Sequence, residues 1–481
     1  MNTVQRIAKN TGVLLASQIV SYILGFFFIM YTARYLGAEG FGILSFALAF
    51  TGIFGVFADL GLRQLTVRDV ARDKSLASKY LGNIAMMKVI LAIITFGLIA
   101  LFINLLGYPE QTIKVVYLVA LSVILGTFSV MFYSVFQAFE KMEYQSVGQI
   151  LNSVLMLSGA LFALSHGWGV IGFASIYFFV SAVVLVYSFV VCVWKLVLPK
   201  VEIDRSFWKP AIKEALPFGL SGIFITIYYY IDTVMLSLMI SNANEVIGWY
   251  NAAYRLILIL IAIPSLYATA IFPVMSIFFK SSEESLKIIF TRSLKYMLLI
   301  SIPIVAGTIL LADRIILLIF GSEYVPATIA LQILIWSFLF GAIGGVFGYL
   351  LNSTNRQRTL TKIVGCGMAL NVALNILLIP SYSYIGASIA TDITRFFVIS
   401  IEFIILSKIG FNPQNKMFLA WLLKIIASSL IMASFIGYFK DTNLLLLIIT
   451  SVLLYFTALY LMKGFDEKDL ALARGLIYGE K

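Results

Sequence analysis

Histidine and cysteine are almost missing from this chain. Its 481 residues hold one His and two Cys, which removes most metal, haem and disulfide-framework readings. Charge is scarce as well. Only 12% of the residues are Asp, Glu, Lys or Arg, where a soluble domain carries about 25%. No GxxxxGK[ST] phosphate loop occurs, so nucleotide hydrolysis by that route is excluded. HExxH, CxxC and GxSxG are absent too. What the chain has in abundance is apolar surface: 61% hydrophobic residues and a mean hydropathy of +1.00. That composition belongs to an integral membrane protein.

A requirement of about 20 apolar residues per crossing divides the chain into fourteen spans. They run over 11–33, 41–62, 81–106, 112–138, 146–165, 170–194, 215–240, 247–278, 291–311, 326–350, 362–379, 385–407, 417–439 and 443–462. The first follows Arg6 and Lys9, is of full span length and lacks a small-residue cleavage site, so it reads as a transmembrane helix and not as a signal peptide. Alternating connections differ in charge. Of 34 Lys and Arg residues, 26 fall on the side of the N-terminus, Arg34, Lys114, Arg314 and Lys440 on the other, and Lys88, Arg255, Arg395 and Lys424 within spans. The positive-inside rule then puts both termini in the cytoplasm and the protein in the cytoplasmic membrane. The net charge of +11 is a topology signal, and nucleic acid is not an expected partner.

The expected fold is an all-α polytopic membrane protein of about 14 transmembrane helices. A basic connection over 195–213, containing Pro199 and Pro210, reads as a linker between two six-helix lobes, residues 1–200 and 201–410. Residues 411–481 add two further helices and a cytoplasmic tail, in which 464–481 is expected to form a short surface helix. Gly40-Phe41-Gly42-Ile43-Leu44-Ser45-Phe46-Ala47 opens the second span much as Val246-Ile247-Gly248-Trp249-Tyr250-Asn251-Ala252-Ala253 opens the eighth. With an even number of spans per lobe, such an echo is that of a parallel repeat. Pro264, Pro273 and Pro303 are expected to break helices of the second lobe. The longest outer connection, about 313–325, is half apolar and leaves no room for a catalytic domain. An enzyme is not expected.

Ionisable groups at membrane depth are costly and face a bundle interior or a water-filled cavity. Asp232 lies eight positions before Ile240, and Arg255 eight positions after Ile247, which sets both about 12 Å below the same face. Two readings stay open: a salt bridge locking the seventh span to the eighth, or Arg255 presented to an anionic substrate with Asp232 orienting it or titrating. An Arg fork suits phosphate because it donates two parallel hydrogen bonds. Asp392 and Arg395 are three apart on the twelfth span and share a face. Glu402, nearer its cytoplasmic end, is a candidate coupling-ion acid or a snorkelling side chain. Asp232, Asp392 and Glu402 are the coupling-ion candidates. Lys88 and Lys424 are expected to snorkel. Cys192 and Cys366 are expected to be inert packing residues, and His166 an interfacial turn residue. Gln18, Gln137, Gln149, Asn152, Asn251, Asn371 and Asn375, with Tyr22, Tyr133, Tyr228, Tyr229 and Tyr254, could line a wet path or serve interhelical hydrogen bonding. The i,i+4 spacing of Asn371 and Asn375 puts both on one helical face.

Several segments carry a family likeness. Thr32-Ala33-Arg34-Tyr35-Leu36-Gly37-Ala38-Glu39-Gly40-Phe41-Gly42, then Asp59-Leu60-Gly61-Leu62, resembles the opening of Wzx-type polysaccharide flippases of the multidrug/oligosaccharidyl-lipid/polysaccharide (MOP) exporter superfamily. Gln137-Ala138-Phe139-Glu140-Lys141-Met142, Gly248 through Arg255, Phe320-Gly321-Ser322-Glu323-Tyr324, and Asn371 through Pro380 with Gly386-Ala387 extend the likeness over nearly the whole chain. The resemblance implies a V-shaped pair of six-helix lobes and alternating access. It implies that a polyprenyl-diphosphate-linked oligosaccharide moves from the inner to the outer leaflet, with no cofactor. Membrane lipids and polysaccharide-assembly proteins are the implied partners. Arg255 sits where such proteins look typically basic, with Arg395 second to it. Asn251, Tyr254, Asn371 and Asn375 complete the expected substrate-binding set. Four basic against three acidic residues within the spans departs from a strongly cationic cavity. A lipid II-type peptidoglycan precursor flippase, a cation-coupled MATE-like drug exporter and a structural membrane subunit remain alternatives.

Overall fold

In lipid, backbone N–H and C=O groups must be satisfied within the segment itself, so long apolar runs become helices. A computed structural model describes residues 3–200, 203–413, 416–466 and 469, and no β-strand occurs among them. Thirteen α-helices follow one another: α1 Thr3–Gly55, α2 Leu62–Arg72, α3 Ala77–Leu105, α4 Glu110–Ala138, α5 Met142–Ser165, α6 Val170–Lys195 and α7 Arg205–Met239, then α8 Ala243–Ser281, α9 Glu283–Ile319, α10 Ala327–Ser353, α11 Gln357–Lys408, α12 Lys416–Tyr438 and α13 Leu444–Leu461. All but the short α2 are long and apolar enough to cross a membrane, twelve helices in all. Two of the twelve are double. α1 breaks at Gly37, whose φ of 67° suits a residue without Cβ, and α11 breaks at Ser383, φ 52°. Each expected span therefore has its helical segment, and the expected gaps at 34–40 and 380–384 are the two breaks. The outer faces are apolar and exposed, with Ile93, Trp194 and Leu377 each more than two-thirds accessible. This is a surface made for lipid.

Three expectations change. Pro264 and Pro273 lie inside an unbroken α8, and Pro303 inside an unbroken α9. Neighbouring groups can re-satisfy the carbonyl that a proline frees within a membrane helix. The connection after α6 is shorter than 195–213, because α7 already starts at Arg205 and contains Pro210 in its second turn. The Asp204 side chain caps that start, accepting from the N–H groups of Ser206 (3.0 Å) and Phe207 (3.3 Å). Lys79, 2.6 Å away, and the cap together hold the Asp204 carboxyl well below the usual carboxylate range. Cys366 is exposed on its helix and packs nothing away, whereas Cys192 is buried. Of the expected tail helix, 467–468 and 470–481 lie outside the described residues.

The chain divides into two compact units, Met1–Ala252 with Asn371–Ala387, and Ala253–Leu370 with Ser388–Lys481. The lobe boundaries expected at 200 and 410 are a different partition and remain an expectation. In the first unit the two glycines of the sequence echo meet each other's helices. A Cβ on Gly42 would stand 1.8 Å from the carbonyl oxygen of Asn244, and one on Gly248 2.1 Å from that of Ala38. Bare backbones touch there, as small residues permit in membrane helix pairs. In the second unit a core of Phe290, Leu294, Met297, Phe347, Leu350 and Leu406 joins α9, α10 and α11.

Candidate functional site

Within the first unit, Asp232 is the deepest acid, with 2% of its surface exposed. It sits on α7 seven residues before the helix end at Met239, about 10 Å along the axis. Its carboxylate accepts from the Tyr250 hydroxyl (2.7 Å) and from the Asn375 amide (2.5 Å). The same Asn375 amide reaches Asn371 Oδ1 at 3.1 Å. Both asparagines are fully buried, and Asn375 Oδ1 and Asn371 Nδ2 have no hydrogen-bond partner among the described residues. Next along α7, Thr233 accepts from Asn251 at 3.1 Å, while Asn251 also donates to the Ile247 carbonyl. Asp232, Asn251, Asn371 and Asn375 are thus gathered into one buried polar cluster from three helices. Tyr250 belongs to it too, a residue that sequence reasoning passed over. Its one available signal was a phenol eighteen positions from an intramembrane acid.

The buried Asp232 carboxylate thus shares its neighbourhood with the amides of Asn371 and Asn375 and the Tyr250 hydroxyl, a polar cluster at membrane depth. Among the described residues no group of three or more His, Cys, Asp and Glu is placed to hold a metal ion.

The other candidates lie in the second unit. Arg255 is half-buried on α8, next to the buried Tyr254. Asp232 and Arg255 thus belong to different units, and their pairing stays an expectation. Asp392, Arg395 and Glu402 are all buried on the second half of α11. Positions 392, 395, 399 and 402 form one stripe at helical spacing, and α10 receives it with glycines. A Cβ on Gly341 would lie 3.1 Å from the Arg395 guanidinium, and one on Gly344 3.6 Å from Glu402 Oε2. Glu402 does not snorkel. Only 3% of it is exposed, and its Oε2 is buried without a hydrogen-bond partner among the described residues, as is Asp392 Oδ1.

Two buried lysines complete the inventory. Lys88 was expected to snorkel but is 1% exposed and bonds Asp59 at 2.5 Å. Its partner, in the turn after α1, was legible only as part of a motif. Lys295, near the cytoplasmic end of the expected ninth span 291–311, lies inside α9 and pairs with Asp469, with its ammonium 4.0 Å above the Trp421 ring. Lys424 does reach the chain beyond the last helix, donating to the Lys463 carbonyl at 2.9 Å. His166 sits at the turn after α5, stacked on Phe162.

Fourteen apolar helical segments among the described residues, with acids, amides and the Arg395 guanidinium buried among them, are those of a multi-pass membrane protein. The chain belongs to the polysaccharide biosynthesis protein family, whose profile matches residues 7–279, and a MatE profile matches 217–377. The MOP superfamily likeness read from its motifs therefore holds. A relative in Haloferax volcanii, named "Probable low-salt glycan biosynthesis flippase Agl15", is 24% identical over 405 residues, 81% of each chain. The capsular polysaccharide biosynthesis protein CapF of Staphylococcus aureus is 23% identical over 81% of this chain and 96% of its own. The fold is similar to that of a solved structure titled "Lipid II flippase MurJ, inward closed conformation", with TM-score 0.75 at 18% identity, covering 92% of this chain and 97% of that one.

Proposed function

We propose that this protein is a flippase that moves a polyprenyl-diphosphate-linked oligosaccharide from the inner to the outer leaflet of the cytoplasmic membrane. It works by alternating access, without ATP, in the assembly of a surface polysaccharide. The observation that carries this reading is the set of buried ionisable groups at membrane depth in a member of the polysaccharide biosynthesis family. Arg255, and Arg395 after it, would engage the diphosphate, because a guanidinium matches two phosphate oxygens at once. Asn251, Tyr254, Asn371 and Asn375 would serve substrate passage. Asp232, with Asp392 and Glu402, would answer an ion gradient. What supports that role is the burial of Asp232 at membrane depth within a cluster of amides and a phenol, the setting in which intramembrane acids serve ion pathways.

Reconstitution in vesicles with a fluorescent polyprenyl-diphosphate glycan tests the assignment. Arg255→Ala should lower the flipping rate by at least about tenfold, the scale of one charge-assisted hydrogen bond, and Arg255→Lys should retain part of it. Normal flipping by a folded Arg255→Ala protein would remove Arg255 from the phosphate role. If Asp232→Ala and Arg255→Ala each unfold the protein while the double variant recovers, the two form a structural pair.

A further inference from the structure

The first unit contains a second polar site, away from Asp232. A cavity of about 410 Å³ opens among α1, α4, α5 and α6, within the ~300–1,000 Å³ that small-molecule sites occupy. Its hydrogen-bonding wall is made by Gln18, Ser21, Tyr22, Tyr133, Gln149 and Asn152. None of its lining residues is charged.

Apart from Gln149, whose oxygen joins α5 to α1, these groups form few bonds that hold helices together. The side chains of Gln18, Tyr22 and Asn152 make no hydrogen bond among the described residues, and Ser21 Oγ is buried with no partner at all among them. Gln149 is oriented from behind, its Oε1 accepting from Ser17 at 3.2 Å, so its amide N–H groups remain for the cavity. At membrane depth such groups, whether buried like Ser21 Oγ or exposed like Tyr22 and Asn152, call for water or a ligand to meet them. Position adds a second constraint. Tyr133 lies five residues before the end of α4, and Gln149 and Asn152 seven and ten after the start of α5, so the wall spans roughly 8–15 Å from that end. This is the end carrying Lys141 and Lys195, the side from which a lipid-linked substrate would arrive under the topology proposed above.

We infer that this cavity is a binding site for an uncharged saccharide unit, the neutral part of the lipid-linked glycan. The chemistry selects the ligand. With no cation in the wall it does not suit a diphosphate, and with no acid it does not suit a cationic drug. Three amides and several hydroxyls match sugar hydroxyls, which both donate and accept, and the Tyr22 and Tyr133 rings offer flat faces to the C–H side of a pyranose. The inference rests on the flippase reading and adds where the sugar sits.

The test is binding to the full-length protein in lipid nanodiscs. One probe is a fluorescent polyprenyl diphosphate bearing a neutral hexose–N-acetylhexosamine disaccharide; the other is the same polyprenyl diphosphate without sugar. The variant Gln18→Leu/Asn152→Leu removes two of the three amides at nearly constant volume, and Ser21→Ala/Asn152→Ala carries the same test should the leucine pair fail to fold. Affinity for the glycosylated lipid should fall about tenfold or more, as expected for two lost hydrogen bonds, while that for the bare lipid stays unchanged. Asn152→Gln should recover part of the loss. Unchanged affinity for the glycosylated lipid in a folded variant means that water alone fills the cavity, and overturns the site while leaving the flippase reading intact. Equal loss for both lipids also overturns it. If the wild type binds neither lipid, the flippase reading falls and the sugar site with it.

Discussion

Charge at membrane depth is decided residue by residue, and Lys88 shows how. An ammonium with 1% exposure is tolerable only beside its carboxylate. Removing that carboxylate should cost more than removing both charges together. Asp59→Asn alone is expected to destabilise the protein by about 3 kcal/mol, and Lys88→Met/Asp59→Asn to recover most of that. Thermal unfolding of the purified protein in one detergent measures both, and an Asp59→Asn variant as stable as wild type would show that Lys88 needs no partner. At this scale the sequence was half legible. The depth of Asp232 followed from counting along one helix. Its partners did not, because Asn375 stands 143 positions away and depth alone leaves several amides eligible. Tyr250 was closer, but nothing in the sequence sets it apart from the other 24 tyrosines of the 25 in the chain. Lys88 was misread for the same reason: an isolated lysine near a span end snorkels by default, and only the position of Asp59 says otherwise.

Among elements, the close approach of α1 and α8 depends on absent side chains. Gly42→Ala puts a methyl group 1.8 Å from the Asn244 carbonyl oxygen, and because backbone cannot swing aside, the helices must part. The melting temperature of that variant should fall. Gly97→Ala in α3 is the matched control: no atom lies within 4 Å of its new Cβ, so it should be neutral or stabilising by up to ~1 kcal/mol through lower unfolded-state entropy. Equal effects of the two substitutions in the same thermal assay would exclude the backbone contact as their cause. The echo between Gly40–Ala47 and Val246–Ala253 was legible as similarity. That Gly42 and Gly248 each lie against the other's helix was not, since similarity says nothing about adjacency. The prolines failed in the opposite direction. Pro264, Pro273 and Pro303 carry a local rule, loss of one N–H, which continuous helices in lipid absorb.

For the whole molecule the untested quantity is orientation. The excess of Lys and Arg on alternate connections predicts Asn355, between α10 and α11, in the cytoplasm, and Asp441, between α12 and α13, outside. In a Cys192→Ser/Cys366→Ser background, Asp441→Cys should react with a membrane-impermeant maleimide on intact cells, and Asn355→Cys only after lysis. The reverse pattern would invert the topology and, with it, the side at which the neutral cavity opens.

Length and composition alone determined that this is a helical membrane protein with fourteen crossing segments, because lipid obliges each apolar run to satisfy its backbone internally. The motifs along it pointed to its superfamily. Only the tertiary structure decided which charges meet and which amides are left over: Asp232 with Tyr250 and Asn375, Lys88 with Asp59, and Gln18 and Asn152 around an uncharged cavity. The reason is that a helix apolar on every side carries no face preference in its own sequence. Which side turns inward is settled only by what the neighbouring helices present.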